Sequence, residues 1–158
     1  MPRGGVGAII LKIVLTKETV MEKLARFGVS LDSELLRRFD AAIGSRGYTS
    51  RSEAIRDLIR SDLVEREWEE SKEVVGVIML VYDHHRRQLQ EAVTDLQHRH
   101  LKEIISTQHV HLDHDNCLEV VIVRGGAGPV KKLAERLQAL RGVKHCSLSM
   151  STTGSGIS

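Results

Sequence analysis

From Val74 to Tyr82 the chain reads Val-Val-Gly-Val-Ile-Met-Leu-Val-Tyr, an apolar run of the length of one buried strand. His84 to about Gln97 follows as a helix, with Leu89, Ala92, Val93 and Leu96 on its inward stripe. Ile104 to Leu112 reads as a strand, Asp113-His-Asp-Asn116 as a turn, and Cys117 to Arg124 as the returning strand. Gly125-Gly126 breaks the pattern before a helix from about Pro129, striped by Val130, Leu133, Ala134, Leu137 and Leu140. Gly142 ends that helix, and Val143 to Met150 supplies a last strand. The order βαββαβ predicts a ferredoxin-like (ACT-like) domain over 74–152.

The chain before it follows a different pattern. Arg26-Phe-Gly-Val-Ser-Leu31 alternates, with Phe27, Val29 and Leu31 on one face and Arg26, Gly28 and Ser30 on the other. Asp32 is an N-cap for a helix carrying Leu35, Leu36, Phe39 and Ile43, which Gly44 and Gly47 end. Ser50-Arg-Ser-Glu53 has the form of a capping box, opening a second helix with Ala54, Ile55, Leu58, Ile59 and Leu63 inward. The acidic segment Glu65–Glu73 reads as a solvated helix extension or linker, so the domains are expected at 22–68 and 74–152 with a linker at 69–73. The whole is an α+β chain.

A six-residue strand without a partner leaves both its edges unpaired. Two chains pairing these strands antiparallel would bury Phe27, Val29 and Leu31 on four helices and leave Arg26, Gly28 and Ser30 facing out. A ribbon of that width fits the major groove of DNA. Arg26 to Arg60, above all Gly47-Tyr-Thr-Ser-Arg-Ser-Glu-Ala-Ile-Arg-Asp57, resembles the ribbon-helix-helix family of dimeric transcription factors. The resemblance implies base contacts from Arg26, Gly28 and Ser30, and phosphate contacts near Ser50, Arg51 and Ser52. Gly28 departs from the pattern, because the middle ribbon position usually bears a polar side chain.

Composition narrows the remaining classes. The net charge is +2 over 158 residues, so DNA affinity must come from a local arrangement and not from bulk basicity. Two cysteines make no disulfide framework, and the composition fits a reducing, cytoplasmic compartment. No apolar stretch is long enough to span a bilayer. Residues 1–21 resemble a signal peptide only loosely, since Lys12 interrupts the apolar run; a disordered extension before a natural start at Met21 is expected. The Ser/Thr/Gly tail at 153–158 is expected to be disordered as well.

Eight histidines are many for this length, and His98, His100, His109, His111 and His114 fall close together. His109 and His111 stand at i and i+2 on a strand, so both rings leave the same face, and the turn returns Cys117 beside them. Singly, these residues also fit a solvated strand and a core thiol. Together they offer two imidazoles and a thiolate, a set that excludes Ca²⁺ and Mg²⁺ and favours Zn, Ni or Cu. The fourth position is open to His98, His100, His114 or water.

The stretch Ser106-Thr-Gln-His-Val-His-Leu-Asp-His-Asp-Asn-Cys-Leu-Glu-Val120, following a ribbon-helix-helix pattern, resembles the nickel-responsive transcriptional regulators. The resemblance implies one Ni(II) per subunit in square-planar coordination, held by His109, His111 and Cys117 with His98 of a neighbouring subunit. It also implies support to these ligands from Glu119 and His100, a homotetramer built as a dimer of dimers, and operator double-stranded DNA as partner. Repression of nickel uptake genes by the nickel-loaded protein is the function expected. A metal storage or delivery protein with a dimerising N-terminal module is the alternative, and a zinc hydrolase ranks last for want of a general base beside the cluster.

Overall fold

The computed structural model describes residues 25–155 and 157. The expected extension at 1–21 lies outside them. Residues 25–32 form no ladder, and Phe27, Val29 and Leu31 are exposed, at 71%, 63% and 47%. One copy of this strand has nothing to pair with, so the alternation is present but the hydrogen bonds are not.

Helix α1 spans Ser33–Ser45, and the Asp32 carboxylate accepts from the Leu35 N–H at 2.9 Å as its N-cap. It ends in a Schellman motif: Tyr48 N donates to Ile43 O and Gly47 N to Gly44 O, both at 3.1 Å. Gly47 sits at φ +81°, where a side chain would be strained. Helix α2 spans Arg51–Glu69, capped by Ser50 Oγ accepting from Glu53 N at 3.2 Å. Leu35, Leu58, Ile59 and Leu63 remain exposed on the two helices, so this half holds only part of a core.

Strand β1 (Glu73–Tyr82), helix α3 (Arg87–His98), strands β2 (Ile104–His111) and β3 (Cys117–Gly126), helix α4 (Ala127–Gln138) and strand β4 (Val143–Ser151) follow. The sheet order is β2-β3-β1-β4 with every pair antiparallel, as the βαββαβ pattern predicts. Two helix starts differ from the pattern. Helix α3 begins at Arg87 and not His84, because the Asp83 carboxylate accepts from His85 N at 2.9 Å and holds a turn there. Helix α4 begins before Pro129, which its first turn tolerates because those N–H groups have no intrahelical partner.

Helices α3 and α4 cover one face of the sheet. Val74, Ile78, Leu80 and Tyr82 of β1 alternate into this core with Cys117, Val121 and Val123 of β3, against Leu89 and Val93 of α3 and Val130, Leu133 and Leu137 of α4. The other face carries Val75, Val77, Met79 and Val81, half-buried, with no element over them among the described residues.

The acidic segment is not a free linker. Trp68, in the last turn of α2, is 2% exposed and belongs to the core of the second domain. Its Nε1 donates to Ser151 O at 2.8 Å, and Lys131 Nζ donates to its carbonyl at 3.1 Å. The indole rests on Gly76, where an added Cβ would meet Trp68 Cη2 at 3.1 Å, Leu148 Cδ1 at 3.2 Å and Ser149 O at 3.2 Å. Gly76→Ala is therefore expected to cost about 1–3 kcal/mol by overpacking. Urea unfolding followed by Trp68 fluorescence measures it, and an unchanged midpoint would contradict the close fit.

Candidate metal centre

The hairpin places the predicted ligands. In the β2–β3 register His111 lies opposite Cys117 and His109 opposite Glu119, so all four side chains leave the helix-covered face. The His109 and His111 rings are 4.9 Å apart at 71°. Cys117 is fully buried and its Sγ donates to Tyr82 O at 3.3 Å. Burial pushes the Cys117 thiol above its ordinary range, with the nearby Glu119 carboxylate adding to the effect. Edge strand β2 is not closed over by α3, and an open groove between them is lined by Gln90, Thr94, Gln97, Thr107, His109 and Glu119.

Glu119 is a buried carboxylate, 6% exposed, and both its oxygens accept hydrogen bonds. Tyr82 Oη donates to Oε2 at 2.5 Å, and the Gln97 amide donates to Oε1. Thr107 Oγ1 donates in turn to Gln97 Oε1 at 3.1 Å. His109 Nδ1 stands 3.8 Å from Glu119 Oε2. Burial, with Glu119 as acceptor, drives the Tyr82 hydroxyl far above its ordinary range and keeps it a donor. Tyr82 and Gln97 were not singled out in the sequence. The sheet register is what reveals them, since Tyr82 pairs with Cys117 across β1 and β3.

His98 and His100 are not brought to this trio within the chain. His98 is the exposed last residue of α3. His100 lies in the following turn, its Nδ1 at 3.5 Å from Glu103 Oε2. His84 instead approaches the cluster, with its ring 5.2 Å from that of His111 and 4.3 Å from that of His85. Desolvation, helped by the neighbouring imidazoles, holds the His84 pKa below its ordinary value.

At the other end of α2, Ser50 is engaged as the helix cap and Ser52 is exposed. Arg51 is bound to Asp40 of α1 through two hydrogen bonds of 2.6 Å each. Arg26, Gly28 and Ser30 are exposed, and a Cβ at Gly28 would meet nothing within 4 Å.

The donor chemistry fits a borderline transition metal: two imidazoles and a thiol from facing strands, with a buried carboxylate behind them. Residues 75–151 match the family described as NikR C terminal nickel binding domain, and residues 25–66 match the ribbon-helix-helix protein, copG family. A nickel-responsive regulator of Desulfotalea psychrophila is 57% identical over 134 residues, covering 85% of this chain and 98% of its own length. Another, of Solibacter usitatus, is 56% identical over 135 residues, covering 85% and 97%. A third, of Syntrophus aciditrophicus, is 54% identical over 134 residues, covering 85% and 98%. Among the described residues no helix is long and apolar enough to cross a membrane. With a ribbon-helix-helix domain ahead of a nickel-binding domain, and no catalytic role, this chain belongs to the family of nickel-responsive regulators.

Proposed function

We propose that this chain is a cytoplasmic, nickel-dependent repressor of nickel uptake genes, binding one Ni(II) per subunit through His109, His111 and Cys117 with His98 of a neighbouring copy. The observation that carries the reading is the β2–β3 register, which sets His109, His111 and Cys117 on one face of one hairpin inside the family's nickel-binding domain. Thiolate and imidazole donors suit nickel, whose bound form would supply an ordered link between copies and a thiolate-to-nickel absorption. The chain's own part is to orient the donors: Glu119 stands behind His109, and Tyr82 and Gln97 fix Glu119.

Assembly as a homotetramer, a dimer of dimers, is supported by two apolar surfaces that are uncovered among the described residues. One is the N-terminal strand with the exposed faces of α1 and α2. The other is the open sheet face carrying Val75, Val77, Met79 and Val81. A ligand from one copy and three from another would couple metal occupancy to the spacing of two DNA-reading ribbons, through a differential affinity of typically about 1–3 kcal/mol. Arg26, Gly28 and Ser30 are the residues assigned to bases of operator double-stranded DNA. Ser50, Arg51 and Ser52 are assigned to phosphates, with the backbone N–H groups at the start of α2 as donors. Arg51 is paired with Asp40 of α1 in an exposed ion pair, which a phosphate would have to displace or share.

Selection of random double-stranded DNA with and without Ni(II) tests both halves together. A recovered palindromic site bound only with nickel supports the repressor; equal, salt-controlled binding to all sequences would favour metal storage or delivery. Arg26→Ala is expected to cut discrimination between selected and random DNA by about 1–3 kcal/mol, as loss of a bidentate base contact does. Competition binding at fixed salt measures this, and an unaltered ratio would remove Arg26 from the base readers.

The raised thiol of Cys117 gives a pH dependence with a definite sign. The protonated form must lose its proton to bind metal, so nickel affinity rises with pH until the thiol ionises. One displaced proton predicts an increase of about tenfold per pH unit near neutrality. Nickel titrations at constant ionic strength read the slope, and a flat profile would exclude a thiolate ligand.

A further inference from the structure

The ribbon face assigned to DNA has one bare position. Residues 26–31 alternate, so Arg26, Gly28 and Ser30 leave one face, and all three are exposed. Gly28 stands midway between the other two. At about 3.3 Å of strand per residue, the side chains of Arg26 and Ser30 start about 13 Å apart, and nothing projects between them from the same strand.

The fold does not require a glycine there. Gly47 holds a positive φ that side chains rarely adopt, and Gly28 is not among the glycines with positive φ. At Gly76 an added Cβ would press on Trp68, whereas at Gly28 it would meet nothing within 4 Å. The cap of α1 is Asp32, further along the chain. Glycine also weakens a strand, because it has the most backbone freedom to lose and no side chain to pack. What distinguishes Gly28 is the bare backbone it presents on the face turned to the bases.

We propose that Gly28 sets the specificity of the ribbon by omission: it faces a base pair in each half-site and leaves it unread, so that Arg26 and Ser30 alone carry direct readout. The proposal rests on the assignment of this face to operator bases. Base edges are read by hydrogen-bonding or apolar side chains, and glycine has neither. Its backbone is no substitute, because the N–H and C=O groups of a paired strand point toward the neighbouring strand and not out of the face. A ribbon with fewer readers discriminates less by itself. Operator choice then leans on engaging two half-sites at once, the arrangement that nickel-coupled assembly would favour.

Selection of random double-stranded DNA by the nickel-loaded full chain, repeated with three variants, tests this. The unaltered protein should recover half-sites with one base pair free to vary between fixed neighbours, its four bases differing less than about threefold in binding. Gly28→Thr, whose hydroxyl and methyl can both touch a base edge, should fix that base pair and discriminate there about tenfold. Gly28→Ala, with a methyl alone, should gain a smaller preference, for thymine. Arg26→Ala should release its own base pair, which tests the ribbon assignment separately. A retained urea unfolding transition reports that each variant is folded. Strong discrimination at the middle base pair by the unaltered protein, no new preference in Gly28→Thr, or loss of binding to every site in Gly28→Ala would each overturn the proposal. If Arg26→Ala also changes nothing, the ribbon assignment fails with it; if Arg26→Ala releases its base pair, the role of Gly28 alone fails.

Discussion

Cys117→Ser is expected to abolish the thiolate-to-nickel absorption and, with it, the whole nickel-induced gain in operator affinity, about 5–150-fold for a typical coupling. A serine hydroxyl does not ionise in the range where a thiol does, so it is a poor ligand for nickel. The metal-free fold should survive. Cys117 is fully buried, but a hydroxyl of similar size can keep the hydrogen bond to the Tyr82 carbonyl, and a stability change of about 1 kcal/mol is expected. The measurement is operator binding with and without nickel, beside thermal unfolding of the metal-free protein. A variant that still responds fully to nickel would remove Cys117 from the ligand set. His98→Ala should lose the response in the same assay. If His98 serves a neighbouring copy, mixing the two variants should restore part of the absorption, because one chain keeps the trio and the other keeps His98. No restoration on mixing would place the fourth ligand elsewhere.

Glu119→Ala is expected to act on stability and on metal together. Removing the carboxylate strands the Tyr82 hydroxyl and the Gln97 amide without an acceptor and leaves a cavity in the core. The combined cost is about 2–5 kcal/mol, from one or two unsatisfied polar groups and lost packing. Nickel affinity should fall about 10–100-fold, as it does when a group behind a ligating histidine is lost. Glu119→Gln, which keeps an acceptor oxygen, should lose less on both counts. Chemical denaturation and nickel competition read the two effects. A stable variant with unaltered affinity would show that Glu119 neither supports the core nor steadies His109.

What could be read before the fold was known follows from interaction range. Asp32, Ser50 and Gly47 act within a few residues of themselves, so both ends of α1 and the start of α2 were legible. The convergence of His109, His111 and Cys117 was legible for the same reason, since one hairpin holds all three. Tyr82 and Gln97 reach Glu119 from other elements across sheet register and helix packing, and nothing local marks them. The start of α3 was misplaced because the Asp83 side chain competes with the helix for His85 N. Trp68 was the largest miss. One aromatic in a run of acids looks like part of a solvated face, and its burial depends on Gly76, which lies in another element.

That indole bears on what counts as a part of this protein. The two family matches end at residue 66 and begin at residue 75, so the Trp68 that fills the core falls in neither. A sheet fragment beginning at residue 75 lacks Trp68, which leaves an open socket over Gly76 and an uncovered Leu148. In this chain the bulky residue that closes the sheet is supplied by the junction and not by either matched segment. The junction is one side chain wide, and through Trp68 it ties the last turn of α2 to the core of the sheet.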